Sequence, residues 1–353
     1  MTWCLKHRKK LLFERERKQM KTKKFITVVT MIAVTALLLF SGCSQTPEEP
    51  APAEISEPIN VACLNGPTGM GMVDLMGNEN YNIEVFQAPT DAVPKIISGE
   101  IDVACLPSNM AAVLYNKTEG QVVCVSPMVM GMLQILGNNV EVSEITDLKG
   151  QTIVSSGQGG TPEYVLQYIL EANGLKLGED VQVEWLASHA DVNQKLLSEE
   201  GTIAMVPEPF VSTALAQGAG SVKALFGMGE IWEVTTGQGL PMGVLVARKD
   251  FVENRGSDLQ AMLADLKASI DDVNTASDEV AQKIVDAGFL GNVDITKAAI
   301  PNCNLCLFSE ADGDYSFSQG ADMMKLFNQT LFDLNPQAVG GALPGDDLYY
   351  TGE

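Results

Sequence analysis

Five short loops carry residue types that could hold a small solute. Each follows or precedes an apolar, strand-like run and combines glycine or proline with small polar side chains. Glycine lets the backbone approach a ligand closely, and the first turn of a helix has N–H groups that can donate to a carboxylate, sulfonate, phosphate or ring acceptor. The loops are NGPTGMG (65–71), PSN (107–109), SSGQGGT (155–161), PEP (207–209) and GQGLPMG (237–243).

The spacing within these loops argues against a nucleotide site. The first loop lacks the Lys-Ser/Thr ending of a phosphate-binding P-loop, and its glycines fail the GxGxxG spacing. Ligands of open α/β sheets collect at the carboxyl ends of the strands, so we predict one cleft for a small solute. The predicted ligand-binding residues are Gly66, Thr68, Gly69, Met70, Ser108, Asn109, Ser155, Gly159, Gly160, Thr161, Glu208, Gln238 and Met242.

Glu208 is the one charged residue in the five loops. Its carboxylate would suit a ligand with N–H donors, such as an amine or an aminopyrimidine. The alternative is that Glu208 caps its own helix from the first turn. A sulfonate or nitrate site usually gains from Arg or Lys, and none lies in these loops.

Residues that could support catalysis or a metal are few. The chain has two histidines, His7 and His189, and we interpret His189 as a surface or capping residue at a helix start. No Ser-His-Asp set or HExxH motif is present. Cys303 and Cys306 form a CxxC without the second pair that a zinc site needs. We therefore predict no catalytic residue, no metal and no cofactor.

The N-terminal segment has the order of an export signal. From Met20, three lysines precede an apolar run over 25–40, which is shorter than the roughly 20 residues of a spanning helix. Ser41, Gly42 and Cys43 follow, resembling the site at which a bacterial lipoprotein is cut and its cysteine lipidated. We predict a signal peptide over 1–42, with 1–19 interpreted as a start-site artefact, and a lipidated Cys43. The alternative is an uncleaved membrane anchor.

The charge distribution excludes one class of partner. Of the 23 basic and 45 acidic residues, ten basic but only two acidic ones lie within 1–42, so 13 basic and 43 acidic residues remain. Such an acidic body repels nucleic acid. The Pro- and Glu-rich stretch that follows Cys43, up to residue 58, buries nothing and is predicted to be a flexible tether.

From Ile59 onwards, strand-like and helix-like segments alternate. Runs such as INVACL, EIDVACL and GTIAMV are each followed by a helical pattern, including one predicted from Gly69 and one near Pro162. Amphipathic helices dominate after Gly243. Regular alternation predicts α/β architecture, with mostly parallel sheets flanked by helices.

Four segments also carry a family resemblance: KIISGEIDVACLPSNMAA, ITDLKGQTIVSSGQGGTPEYVLQYIL, DVQVEWL and IAMVPEPFVSTALAQG. In this order they resemble solute-binding lipoproteins of ABC importers, of the nitrate/sulfonate/taurine and thiamine-precursor (NMT1/THI5-like) group. The resemblance implies a two-lobed clamshell of the type II periplasmic-binding-protein-like class. Lobe 1 would be 59–137 plus 244–353, and lobe 2 would be 138–243.

The function implied by the resemblance is capture of a sulfonate- or nitrate-like anion, or of an aminopyrimidine-like heterocycle, for import. The partners would be the ABC permease and ATPase subunits, and the membrane would be contacted through the lipid anchor alone, on its extracytoplasmic face. We expect a monomer that is not an enzyme. The alternatives are a ligand-sensing surface receptor and an enzyme of the thiamine-pyrimidine-synthesis type.

Overall fold

The computed structural model describes residues 54–310, 313 and 315–352. The predicted signal peptide and Cys43 lie outside these residues. Among the described helices, none combines the length and the apolar character needed to cross a membrane.

Ten strands form two five-stranded sheets with the same layout. Sheet A has the order β2-β1-β3-β10-β4, and β10 runs antiparallel to both of its neighbours. Its strands are β1 Ile59–Leu64, β2 Tyr81–Phe86, β3 Val103–Pro107, β4 Val122–Met130 and β10 Pro241–Arg248.

Sheet B has the order β7-β6-β8-β5-β9, and here β5 is the antiparallel strand. Its strands are β5 Leu133–Asn138, β6 Thr152–Ser155, β7 Gln182–Trp185, β8 Ile203–Pro207 and β9 Val222–Gly227. In each sheet, four strands run in the same direction. The antiparallel strand is the first one formed after the chain passes from the other sheet: β5 in sheet B and β10 in sheet A. The prediction of mostly parallel sheets is therefore confirmed, with one antiparallel strand in each.

Twelve α-helices connect and cover the strands within the described ranges. They are α1 Pro67–Met70, α2 Pro89–Ser98, α3 Asn109–Lys117, α4 Thr161–Ala172, α5 His189–Ser198, α6 Phe210–Gln217, α7 Met228–Thr236, α8 Lys249–Asn254, α9 Gly256–Val273, α10 Asp278–Asp286, α11 Val293–Cys303 and α12 Phe317–Leu334.

The helix predicted from Gly69 is shorter than expected. Only Pro67–Met70 is α-helical, and a single 3₁₀ turn follows over Val73–Leu75. Gly69 and Gly71 explain the early end, because glycine costs about 1 kcal/mol in a helix interior relative to alanine. The first loop thus remains compact against the end of β1.

Buried side chains lie on both faces of sheet B. Ile153 and Ile203 pack with α4 residues in the main core, which also contains the side chains of sheet A. Val154 and Ala204 point to the opposite face and pack with α5 and α6. This alternation is the period-2 pattern of a strand covered on both sides.

The chain crosses from sheet A to sheet B through Gly131 and Met132 and returns through α7. The two crossing segments touch: a Cβ atom on Gly229 would lie 2.6 Å from the Cα of Gly131. Only glycine permits this backbone approach. The chain passes between the sheets at residues 131–132 and again before residue 241. The lobe boundaries at 138 and 243 stay a prediction.

Candidate functional site

The loops that follow β1 and β3 meet at the beginning of β10. The Ser108 backbone N–H donates to the Met242 carbonyl at 3.3 Å. A Cβ on Gly243 would lie 3.1 Å from the Thr68 methyl group, so the first loop lies against the same strand. Three of the five predicted loops are therefore adjacent.

A buried hydrogen bond joins helix starts from the two sheets. The Thr161 hydroxyl, at the start of α4, donates to Asn109 Oδ1 at 3.1 Å, and Asn109 begins α3. Asn109 Nδ2 donates to the Ala338 carbonyl, which fixes the orientation of the amide. Two predicted residues that lie 52 positions apart are thus brought together from opposite sheets.

Gly69 and Met70 serve packing in the structure. A Cβ on Gly69 would lie 2.2 Å from Phe289 Cε1 and 2.8 Å from the Leu64 carbonyl oxygen, so the missing side chain makes room for the Phe289 ring. The Met70 side chain is buried in the main core. Gly66, the residue before α1, also lies in this buried turn.

The loop after β6 is held by its own hydrogen bonds. Ser155 Oγ donates to the Met205 carbonyl at 3.0 Å, and the exposed Gly159 N–H donates to Glu163 Oε2 at 2.5 Å. Gly160, rather than Thr161, is the residue before the first turn of α4. The Thr161 hydroxyl is consequently available for its bond to Asn109.

Glu208 caps its own helix and is buried. The Ser212 backbone N–H donates to Glu208 Oε2 at 3.1 Å, and Ser212 Oγ donates to Oε1 at 3.0 Å. Desolvation raises the pKa of Glu208 to about 7, while hydrogen bonds from Ser212 and from the Asn302 side chain act in the opposite direction. Among the described residues, no cation contributes to this pKa. The carboxyl group is therefore a buried acid without a counter-charge.

Two predicted residues carry buried polar atoms without a partner. Ser108 is fully buried and its Oγ makes no hydrogen bond, and Gln238 Oε1 is in the same state. The Gln238 backbone is fixed by two hydrogen bonds with the Thr236 hydroxyl. A buried polar atom without a partner costs about 1–3 kcal/mol, so such atoms point to a ligand or an ordered water.

A Ser–His pair that was not predicted from the sequence lies at the start of α5. His189 Nδ1 lies 2.5 Å from Ser156 Oγ, and burial lowers the pKa of the imidazole to about 4. Ser188, rather than His189, caps α5 through the Asp191 N–H. His189 is the first residue of this helix, as predicted, and is half-buried. The two residues are 33 positions apart, and no local motif announces their contact.

The cysteines at the CxxC are buried thiols. Desolvation, followed by the charge of Glu208, raises the pKa of Cys303. Within the described ranges, no group of three or more His, Cys, Asp or Glu side chains is placed to hold a metal ion. Cys303 instead belongs to the surroundings of Glu208.

A sequence profile described as the NMT1-like family matches residues 70–286. The chain belongs to the NMT1-like family. The matched region includes most of the loops described above, from Met70 to Met242. No curated protein sequence matches the chain.

Solved structures similar to this NMT1-like chain include an ABC transporter protein and periplasmic sulphonate- and nitrate-binding proteins. An ABC transporter protein from Parabacteroides distasonis has a TM-score of 0.69 and 22% identity, covering 84% of this chain and 99% of the other. The periplasmic aliphatic sulphonate binding protein SsuA of Escherichia coli has a TM-score of 0.64 and 17% identity, covering 84% and 92%. The periplasmic nitrate-binding protein NrtA of Synechocystis PCC 6803 has a TM-score of 0.61 and 13% identity, covering 82% and 86%.

These similarities show the fold. The NMT1-like chain has the two-lobed architecture of type II periplasmic binding proteins, with a mixed sheet flanked by helices in each half. The names of these three proteins, an ABC transporter protein, a sulphonate-binding protein and a nitrate-binding protein, agree with the family resemblance.

Proposed function

We propose that the protein is an extracytoplasmic solute-binding lipoprotein that delivers a small organic solute to an ABC importer. The observation that carries the proposal is the Thr161–Asn109 hydrogen bond, which joins helix starts of the two sheets beside the unpartnered Ser108 hydroxyl. Solutes of α/β proteins bind at such strand ends. The NMT1-like family and the transport proteins among the structural neighbours support the same function.

We further propose that the solute carries N–H donors and is neutral or cationic. The five loops contain no Lys or Arg, and the one charge in them is the buried carboxyl of Glu208. An anion such as nitrate or a sulfonate would approach this carboxyl without a compensating cation. An amine or an aminopyrimidine would instead donate to an acceptor oxygen.

A panel of matched solutes tests both statements by thermal shift. We expect 4-aminopyrimidine to raise the melting temperature more than pyrimidine, methanesulfonate or nitrate. Saturation at a hundredfold excess over Kd stabilises the folded state by about 2.7 kcal/mol, which is readily measured. A larger shift with nitrate or methanesulfonate would reject the solute class and leave the transport function standing.

Glu208→Gln tests the contact itself. If Glu208 accepts from a solute N–H, the substitution weakens binding by roughly 1.5–3 kcal/mol, the range for a hydrogen bond to a charged group. Glu184→Gln is the matched control, because Glu184 lies in sheet B and its carboxylate pairs with Lys195 at a half-exposed surface. Unchanged affinity in Glu208→Gln would leave only the capping role.

The lipid anchor is a separate part of the proposal and rests on Ser41, Gly42 and Cys43. Cys43→Ala should release the protein from the membrane fraction or leave the signal peptide uncut. Lipid labelling that persists in this variant would contradict the anchor.

A further inference from the structure

A second polar cluster lies at the carboxyl edge of sheet B, and we call it the His189 cluster. It consists of Ser156, His189, Asn193 and Phe210. Ser156 follows the last residue of β6, while His189 and Phe210 are the first residues of α5 and α6. Ser156 belongs to the loop 155–161, which ends at Thr161, and Phe210 directly follows the loop 207–209, which contains Glu208. Two of the predicted loops therefore border this cluster.

One ring nitrogen of His189 takes part in a hydrogen bond with the described residues and the other does not. Ser156 Oγ lies 2.5 Å from Nδ1, and the ring packs against Phe210 with a centroid distance of 5.4 Å. In the described part of the chain, Nε2 has no hydrogen-bond partner. When the Ser156 hydroxyl donates to Nδ1, the ring proton is on Nε2, which then becomes a donor.

Asn193 presents an acceptor on the same helix face. It follows His189 by four residues, so the two side chains are neighbours on α5. Asn193 Nδ2 donates to the Phe210 carbonyl at 2.8 Å, which fixes the amide, and Asn193 Oδ1 is buried without a partner. Only 5% of the residue is exposed. A donor and an unsatisfied acceptor thus lie one turn apart.

We propose that the His189 cluster is a recognition site for a solute group with an acceptor and an N–H donor side by side, as in an amide or an amino-substituted nitrogen ring. His189 Nε2–H would donate to the acceptor, and Asn193 Oδ1 would accept from the N–H. Ser156 acts as a positioning residue that sets the tautomer. This inference rests on the proposed solute-binding function. It adds the His189 cluster to the residues that would line the same cleft.

The electrostatics agree with an uncharged group. Burial keeps the imidazole neutral at physiological pH, because its pKa is lowered to about 4. Both members of the hydrogen-bonding pair are then neutral, so they favour a polar group over an ion.

Histidine NMR on the full chain tests the contact directly. The sequence has two histidines, and a His7→Gln variant assigns the resonance of His189. With ¹⁵N-labelled histidine, we expect 4-aminopyrimidine to shift the His189 ring signals and to leave those of His7 in place. Pyrimidine, which lacks the donor, should cause a smaller shift.

Affinity measurements on variants complete the test. His189→Ala and Asn193→Ala should each weaken binding of 4-aminopyrimidine about tenfold, as expected for one lost hydrogen bond in a buried site. Asn138→Ala is the matched control: Asn138 is a buried asparagine that donates to the Leu196 carbonyl, and we expect it to keep its affinity. Ser156→Ala should change the Nδ1 chemical shift of the free protein, and Ser156→Thr should restore it.

The outcomes separate the two proposals. Binding of 4-aminopyrimidine with unchanged His189 signals and unchanged affinity in both alanine variants would overturn the His189 cluster alone. If no solute of the panel raises the melting temperature, the solute-binding function fails, and this inference fails with it.

Discussion

Ser108 and Glu208 occupy equivalent places in the two sheets and are both buried, but they differ in acidity and in hydrogen bonding. Each follows the central strand of its sheet, β3 or β8, directly after a proline. The Ser108 hydroxyl is buried without a partner, whereas both carboxyl oxygens of Glu208 accept hydrogen bonds from Ser212.

The residue four positions later accounts for much of this difference. It is Ser212 in sheet B and the fully buried Ala112 in sheet A. A serine one turn into the helix donates through both its N–H and its hydroxyl, so a buried carboxyl can be tolerated there. The position after the central strand therefore holds an acid that caps its own helix in sheet B. In sheet A it holds a neutral serine whose hydroxyl has no hydrogen-bond partner among the described residues.

The largest effect is expected when the residue of sheet B is placed in sheet A. Ser108→Glu would introduce a buried carboxyl without donors, and we expect it to destabilise the fold by about 3–5 kcal/mol in urea unfolding. Adding Ala112→Ser should recover about 1–3 kcal/mol, because it supplies the donor that Ser212 supplies to Glu208. A Ser108→Glu protein as stable as the wild type would contradict the burial of this position.

Glu208→Gln should remove a pH dependence of stability. The pKa of Glu208 is raised to about 7, so its contribution is fully present below its unfolded pKa near 4.5 and is lost as pH rises to 7. Between pH 4.5 and 7, the wild type should lose roughly 2–4 kcal/mol relative to the variant.

His189 has the opposite sign in an overlapping range. Its pKa is lowered to about 4, so it costs stability as pH falls below about 6.5. Both proteins contain His189, and the difference between their unfolding free energies isolates Glu208. Parallel pH profiles would contradict the raised pKa.

Ser212→Ala tests how much the Ser212 hydroxyl, as a hydrogen-bond donor, stabilises Glu208. The variant removes the hydroxyl bond to Glu208 Oε1 and keeps the backbone bond, so we expect a loss of about 1–2 kcal/mol. Loss of a donor to the ionised form also raises the pKa of Glu208 further, which carboxyl ¹³C NMR would measure. A lowered pKa would mean that the hydroxyl does not stabilise the carboxylate.

Much of the fold was predictable because strands and long helices leave periodic signals. Runs such as INVACL and GTIAMV are strands, and α9, α10 and α12 are the amphipathic helices expected after Gly243. Helices α7, α8 and α11 were not predicted. Helix α11 contains Pro301 and β-branched residues, which weaken its local helical signal, so its tertiary packing against α6 decides the outcome.

The site was predictable only at the level of its loops. Strand ends identified Ser108, Asn109 and Thr161, since topology places such loops together. Side-chain direction was not predictable: both roles of Glu208 fitted the sequence, and the capping bonds to Ser212 depend on its rotamer. The Ser156–His189 contact depends on how β6 and α5 pack, and one sequence carries no signal for it.

Ser108→Ala is the mildest test and bears on function rather than on folding. The Ser108 hydroxyl makes no hydrogen bond, so its removal should change the unfolding free energy by less than about 0.5 kcal/mol. If the hydroxyl donates to the solute, 4-aminopyrimidine should bind about tenfold more weakly, which is the cost of one hydrogen bond in a buried site. Calorimetry at one pH measures this affinity, and Ser212→Ala is the contrasting variant, with a larger loss of stability. Equal affinity in Ser108→Ala and the wild type would mean that the hydroxyl faces an ordered water. Ser108 would then have no part in solute recognition.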